Sequence, residues 1–291
     1  MAAIAMLASM AACSLVTDLG GLSSGGGSGG DGSVETSAPE RDAGPVLVDA
    51  PSGLASDGGD AASPSDAMAA DALASSRYAS AVIADAPVSF YRFGELAGPT
   101  AHDEMHRHDA VYLGAVGFGA AGALSGDPNT AIRLPGNLMA AVDFGQNFGF
   151  AGGSAFSIEL WVDDHVIDGE YRRVFWTFDA DGGWGFDIEQ MYGLGVVFNG
   201  GAPNSLYVKP FPLARFVHLA VTYDTATLRV YLDGTLATTG GSVNLPASSA
   251  RLYLGMTNQG YNLFNGRIDE LAFYDHPLSD ARIAAHIAAA R

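Results

Sequence analysis

Along residues 156–163 apolar and polar positions change places at every step: Phe156, Ile158, Leu160 and Val162 alternate with Ser157, Glu159, Trp161 and Asp163. A period of two is that of a β-strand, whose successive side chains point to opposite faces, so this stretch predicts a strand with its apolar set toward a core. Residues 216–223 and 228–232 predict a hairpin joined across 224–227. Asp233-Gly234 predicts a second, tighter turn pairing 228–232 with 235–239, because a type I′ turn needs positive φ at both central positions. Shorter strand signals recur at 88–93, 111–113, 131–134, 140–144, 172–178, 185–188 and 194–198, separated by Gly, Pro and Asn turns, and 251–255 precedes a loop at 256–265. Helix is expected near two places: at 78–84, stopped before Pro87, and after Ser279, which caps a helix carrying Ile283, Ala284 and Ile287 along one side. The pattern as a whole predicts an all-β antiparallel sandwich with short flanking helices.

The strand signal at 266–274 contains two adjacent acids, Asp269 and Glu270. Strict alternation places Asp269 on a face with Leu271 and Phe273, and Glu270 on a face with Ile268, Ala272 and Tyr274. A carboxylate against apolar neighbours is costly unless a cation or several donors meet it. Asp269 is therefore expected to serve a metal ion or a buried ion pair.

Composition narrows the function classes. The 38 glycines and 13 prolines suit a fold of many turns, and 15 Phe, 11 Tyr and 3 Trp supply its core. A net charge of −18 excludes the electrostatic footprint of a nucleic-acid binder and disfavours docking on anionic lipid. The single cysteine, Cys13, rules out an internal disulfide. Before it, residues 2–12 form an apolar run too short to span a bilayer but suited to a signal-peptide core. Met10-Ala11-Ala12-Cys13 resembles a bacterial lipobox, which implies acylation at Cys13 and display at the outer membrane or cell surface. Residues 14–76, rich in Gly, Ser, Ala, Asp and Pro and free of aromatics, read as a disordered acidic linker, leaving 77–291 as the one folded domain.

The closing run GRIDELAFYDHPLSDARIAAHI resembles the terminal strand and helix of the laminin-G-like, concanavalin A-type jelly-roll modules. VSFYRFGE at 88–95, FSIELWV at 156–162, FVHLAVTYD at 216–224 and LRVYLDG at 228–234 follow the same family pattern in order. The resemblance implies a jelly-roll sandwich over roughly 77–291 that binds a polysaccharide or surface glycoprotein; a structural calcium ion would go with it. The loop at 102–109 sits where the family carries an Asp-x-Ser-Gly-Asn calcium loop; Asp103 matches the leading aspartate and the rest is missing. Asp103, Asp109 and Asp269 are thus the candidate oxygen ligands. Three histidines in that loop, His102, His106 and His108, leave open a transition-metal reading with Asp103 or Asp109, and a solvated loop is the third possibility.

For a glycan the candidate contacts are Tyr171, Trp184, Tyr192, Tyr261 and Asn262, aromatic plates and an amide expected on loops, whereas Trp161 and Trp176 fall in strands and are expected to pack. Related sandwiches include glucanases, and Asp187-Ile188-Glu189 places two carboxylates on one face, as a hydrolase would need. No further catalytic pattern accompanies them, so a binding module rather than an enzyme is expected, with a structural envelope protein as the other alternative.

Overall fold

The computed structural model describes residues 77–291 apart from 138, 150–152, 165–170, 178–183, 190–192, 199–204, 242–249 and 258; Cys13 and the linker read at 14–76 lie outside the described residues. In chain order the described residues form α1 (Arg77–Ala84), β1 (Ser89–Tyr91), β2 (Thr100–Ala101), β3 (Ala110–Leu113), β4 (Gly117–Ala121), β5 (Thr130–Pro135), β6 (Ala141–Asp143), β7 (Phe156–Asp164) and β8 (Tyr171–Trp176). They continue with β9 (Trp184–Glu189), β10 (Gly193–Phe198), β11 (Ser205–Val208), β12 (Val217–Tyr223), β13 (Thr227–Leu232), β14 (Thr235–Gly241), β15 (Tyr253–Leu254), β16 (Asn265–Tyr274) and α2 (Asp280–Ala289). The first sheet runs β14-β13-β12-β7-β16-β5-β4, with β1 also on β16, and the second runs β11-β10-β9-β8-β15-β6-β3-β2. Neighbouring strands pair antiparallel throughout. This is the expected jelly-roll sandwich.

The core between the sheets is filled by the apolar sets that alternation marked. Phe156, Ile158, Leu160 and Val162 of β7 meet Val217, Leu219 and Val221 of β12 and, from the other sheet, Val142, Phe175, Leu194 and Leu254. Each such side chain contributes on the order of 2 kcal/mol when fully buried. The other side of the first sheet is also covered. Tyr78, Ala79 and Val82 of α1 and Ile283 of α2 pack with Phe90, Ala220, Tyr231, Ala272 and Tyr274 in a second apolar layer. That covering explains why the polar set of β7 is buried along with its apolar set. The Asp233-Gly234 turn forms as expected, with φ of 48° and 79°, and α2 rests on it: a Cβ at Gly234 would lie 2.9 Å from Ile287 Cγ1.

In β16 the structure corrects strict alternation. Its pairing with β7 slips between Asp269 and Ala272, and Glu270 takes the left-handed conformation with φ of 50°. This is a β-bulge, which inserts one residue and resets the parity of the strand. Ile268, Leu271 and Phe273 therefore share the core face, whereas Ala272 and Tyr274 belong to the outer layer. Asp269 does not share a face with Leu271 and Phe273. It stands opposite Trp161, which packs against the outer layer.

Candidate functional site

Asp103 is fully buried, and its carboxylate is claimed by main chain. One oxygen accepts from Phe90 N at 2.8 Å and Met105 N at 3.0 Å; the other accepts from Arg107 N at 3.1 Å and His108 N at 3.0 Å. Its own N–H donates to Asp109 Oδ1 at 2.9 Å. A carboxylate offers about four lone-pair positions, and four N–H groups fill them. Asp103 thus folds the 102–109 loop around itself and ties it to β1. The histidines of the loop have different partners: His102 Nδ1 is 3.5 Å from the exposed Asp109 carboxylate, and His108 Nδ1 is 2.9 Å from Ser89 Oγ.

Asp269 and Glu270 belong to a second network. Arg92 meets Glu270 with Nε at 3.0 Å and an outer nitrogen at 2.7 Å, and reaches Asp127 at 2.9 Å. Asp269 accepts from Ala123 N at 2.8 Å and Asn129 Nδ2 at 3.3 Å. Bidentate pairing with a guanidinium helps hold Glu270 in its left-handed conformation, which otherwise costs about 1–2 kcal/mol. Burial raises the proton affinity of both acids, and the charge of Glu270 raises that of Asp269 further.

These residues do not fit the calcium ion that the family resemblance suggested. Asp103 presents its oxygens to N–H hydrogens that a cation would face, Asp109 is engaged by Asp103 N, and Asp269 takes its donors from Ala123 and Asn129. Among the described residues no group of three or more His, Cys, Asp or Glu side chains is gathered that could hold a metal ion.

The second sheet carries a different kind of site on its outward face. Arg172 points between the sheets, where it meets Asp164 of β7 at 3.1 Å, so its neighbours Tyr171 and Arg173 point outward. The pairing of β8 with β9 slips between Arg173 and Phe175, Val174 and Phe175 both enter the core, and Trp176 returns to the outward face. The guanidinium carbon of Arg173 lies 4.4 Å from the indole centroid of Trp176 and 5.3 Å from the ring of Tyr171. Gly185 stands opposite Trp176 in the register, and a Cβ there would be 2.9 Å from indole Cε3, so the ring lies across a strand position that has no side chain. Tyr253 pairs with Trp176 on the other side, and Asp143 pairs with Tyr253. Tyr207, with Lys209 Nζ 5.9 Å from its ring, pairs with Gly195 two strands beyond β8.

Three of the expected glycan contacts, Tyr171, Tyr261 and Asn262, lie near one end of β8. Arg173 N donates to Asn262 O at 3.0 Å, which ties Asn262, next to the 64% exposed Tyr261, beside the end of β8 where Tyr171 is 48% exposed. The main chain of Trp184 pairs with Phe198 in β9 and β10; its side chain, and Tyr192, lie outside the described residues. The sequence reading missed Arg173 and Tyr253 and assigned Trp176 to packing. Trp176 was expected to pack because it falls in a strand; the bulge at Val174 turns it to the outward face, and Gly185 across the hairpin was the available signal.

An antiparallel jelly roll with an outward aromatic face places the molecule among the lectin-like β-sandwiches. The chain belongs to the Concanavalin A-like lectin/glucanases superfamily, whose family model matches residues 136–284. No curated protein matches the chain. Among solved structures it is similar to domain 4 of AbnA, a GH43 extracellular arabinanase from Geobacillus stearothermophilus in complex with arabinotriose, with 18% identity, a TM-score of 0.54, and coverage of 69% of this chain and 98% of that one. It is similar to Trypanosoma rangeli sialidase at 13% identity and a TM-score of 0.52, covering 68% of this chain and 32% of the sialidase. It is also similar to the binding domain of botulinum neurotoxin serotype D, at 12% identity and a TM-score of 0.55, covering 72% of this chain and 52% of that one. The chain thus spans about a third of the sialidase, and identities this low establish the shared fold alone.

Proposed function

We propose that the protein is a non-catalytic carbohydrate-binding module whose binding face is the outward side of the second sheet, centred on Tyr171, Arg173 and Trp176. The observation that carries the reading is the guanidinium of Arg173 within cation–π distance of two aromatic rings, 4.4 Å from Trp176 and 5.3 Å from Tyr171. A sugar presents C–H patches and hydroxyls together; aromatic surface suits the first, and guanidinium N–H donors suit the second. Stacking fixes the guanidinium in advance, so less side-chain entropy is lost when a ligand arrives. Tyr261 and Asn262 extend the face toward one rim and Tyr253 toward the next strand. The arabinanase domain, solved with arabinotriose, supports the reading by fold.

The polysaccharide or surface glycoprotein would be met outside the cell. In this reading Cys13 is the acylated anchor and residues 14–76 are the spacer; fatty-acid labelling that disappears in Cys13→Ser tests that part.

The main test is an array of immobilised polysaccharides probed with the full chain, together with an assay for released reducing ends. Retention without release supports the binding module. Release would favour a hydrolase instead, because Asp187 and Glu189 occupy register positions beside Arg173 and Tyr171. Neither retention nor release would leave a structural envelope protein.

A further inference from the structure

We propose that His286 is a proton-operated latch that fastens α1 and α2 to the outer face of the first sheet, and with them the point at which the upstream chain enters the sandwich. His286 is wholly buried. Its Nδ1 lies 3.0 Å from the Glu159 carboxylate of β7, and its Nε2 lies 2.9 Å from Asp85 Oδ2 and 3.2 Å from Ala81 O at the end of α1. Every group facing the two ring nitrogens is an acceptor. Both nitrogens must therefore carry hydrogen, and the ring bridges the two carboxylates as an imidazolium.

The surroundings make that charge necessary. From β12, His218 Nε2 stands 3.1 Å from Glu159. From β16 the Tyr274 hydroxyl donates to Glu159, and from α1 the ring of Tyr78 lies edge-on to His286 at 6.1 Å. On α2 itself, Arg282 Nε is 2.7 Å from Asp85 Oδ2, and Asp280 accepts from the Tyr231 hydroxyl of β13 at 2.6 Å. Around the ring, Glu159 and Asp85 balance His286 and Arg282. Loss of the imidazolium proton leaves an uncompensated buried negative charge and turns a ring lone pair toward a carboxylate. The damage falls where the ring joins α1 to α2, on the side of the sheet opposite the inter-sheet core, so the helices loosen while the sandwich stays folded.

Burial works against the charged ring, but the hydrogen bond to Glu159 and the charges of Glu159 and Asp85 outweigh it and lift the pKa of His286 above 6.5. A raised pKa in the folded state means that the latch is fully closed below 6.5 and opens as pH rises through the lifted value.

The test is hydrogen exchange of the full chain between about pH 6 and about pH 9, corrected for the intrinsic pH dependence of exchange. In the wild type, protection of residues 78–85 and 281–290 is expected to fall by about tenfold or more across that range, while that of β7 and β12 holds. His286→Gln should show weak helix protection at both ends of the range with no dependence left. Asp85→Asn, at a partly exposed position, should keep the fold and lose the dependence at α1. Asp269→Asn, which alters the other buried acid pair, should retain it. Helix protection that is flat with pH in the wild type overturns the proposal, as does a pH dependence that survives both His286→Gln and Asp85→Asn.

Discussion

Replacing Asp103 with Asn changes almost no volume and tests what the 102–109 loop is built on. The aspartate receives four main-chain N–H groups, two on each oxygen. Asparagine keeps one oxygen for one pair and turns an amide NH2 toward the other, so two charge-assisted hydrogen bonds are lost and donors face donors in a buried place. At about 1.5–3 kcal/mol for each such bond, the loss is about 4 kcal/mol, which for a domain of about 200 residues lowers Tm by roughly 8–16 °C. Urea and thermal denaturation of the two proteins measure it, with and without EDTA. The expected result is a large loss in Asp103→Asn and no response to EDTA in either protein, because the carboxylate is filled by the chain itself. A wild type that EDTA destabilises to the level of Asp103→Asn, or a variant within about 1 kcal/mol of the wild type, would refute this reasoning.

The acids at 269 and 270 should respond oppositely to neutralisation. Asp269→Asn relieves the buried repulsion with Glu270 and keeps an oxygen for Ala123 N while giving up the longer bond from Asn129, so it is expected to cost no more than about 1 kcal/mol near neutral pH, whereas Glu270→Gln breaks the pairing with Arg92 and should cost about 3–5 kcal/mol in urea unfolding. Both acids have folded pKa values above the unfolded ones of 3.8 and 4.5, so their contribution to stability is lost as pH rises through the folded values; Asp269→Asn should flatten that decline. Burial pushes Glu159 up, but His218 and His286 outweigh it and hold the carboxyl well below the usual range, so its contribution is present above 4.5 and lost as pH falls through the folded value; the acid limb of the unfolding midpoint should shrink in Glu159→Gln. Gly185→Ala would place a Cβ 2.9 Å from Trp176 and 3.0 Å from Phe175 O, so a loss of about 1–3 kcal/mol with altered tryptophan fluorescence is expected; a neutral outcome would show that the indole does not lie where described.

Much of the sandwich could be read from alternation, and the faces that the sequence did not show in β16 and β8 have one physical cause. A bulge adds one residue and reverses parity for everything after it, and nothing in the side chains at 266–274 or 171–176 announces one. Glu270 in a left-handed conformation carried Leu271 and Phe273 to the face of Ile268, and the bulge at Val174 turned Trp176, half-buried, to the outward face. Asp103 was misjudged for a different reason. Its aspartate matched a metal loop, but its partners come from β1 and the loop main chain, whose N–H groups have no letter in the sequence. Tyr171, Tyr261 and Asn262 were legible as surface polar aromatics and turn residues, while their meeting beside β8 depends on the single bond from Arg173 N to Asn262 O.

The central claim is that saccharide is held on the outward face of the second sheet. Calorimetric titration of the best-retained oligosaccharide into wild type, Trp176→Ala and Tyr261→Ala addresses it most directly. The account expects Trp176→Ala to keep the wild-type melting temperature within a few degrees and to bind at least about thirtyfold more weakly, a loss of about 2 kcal/mol, with Tyr261→Ala affected less. Unchanged affinity in a folded Trp176→Ala protein would contradict it.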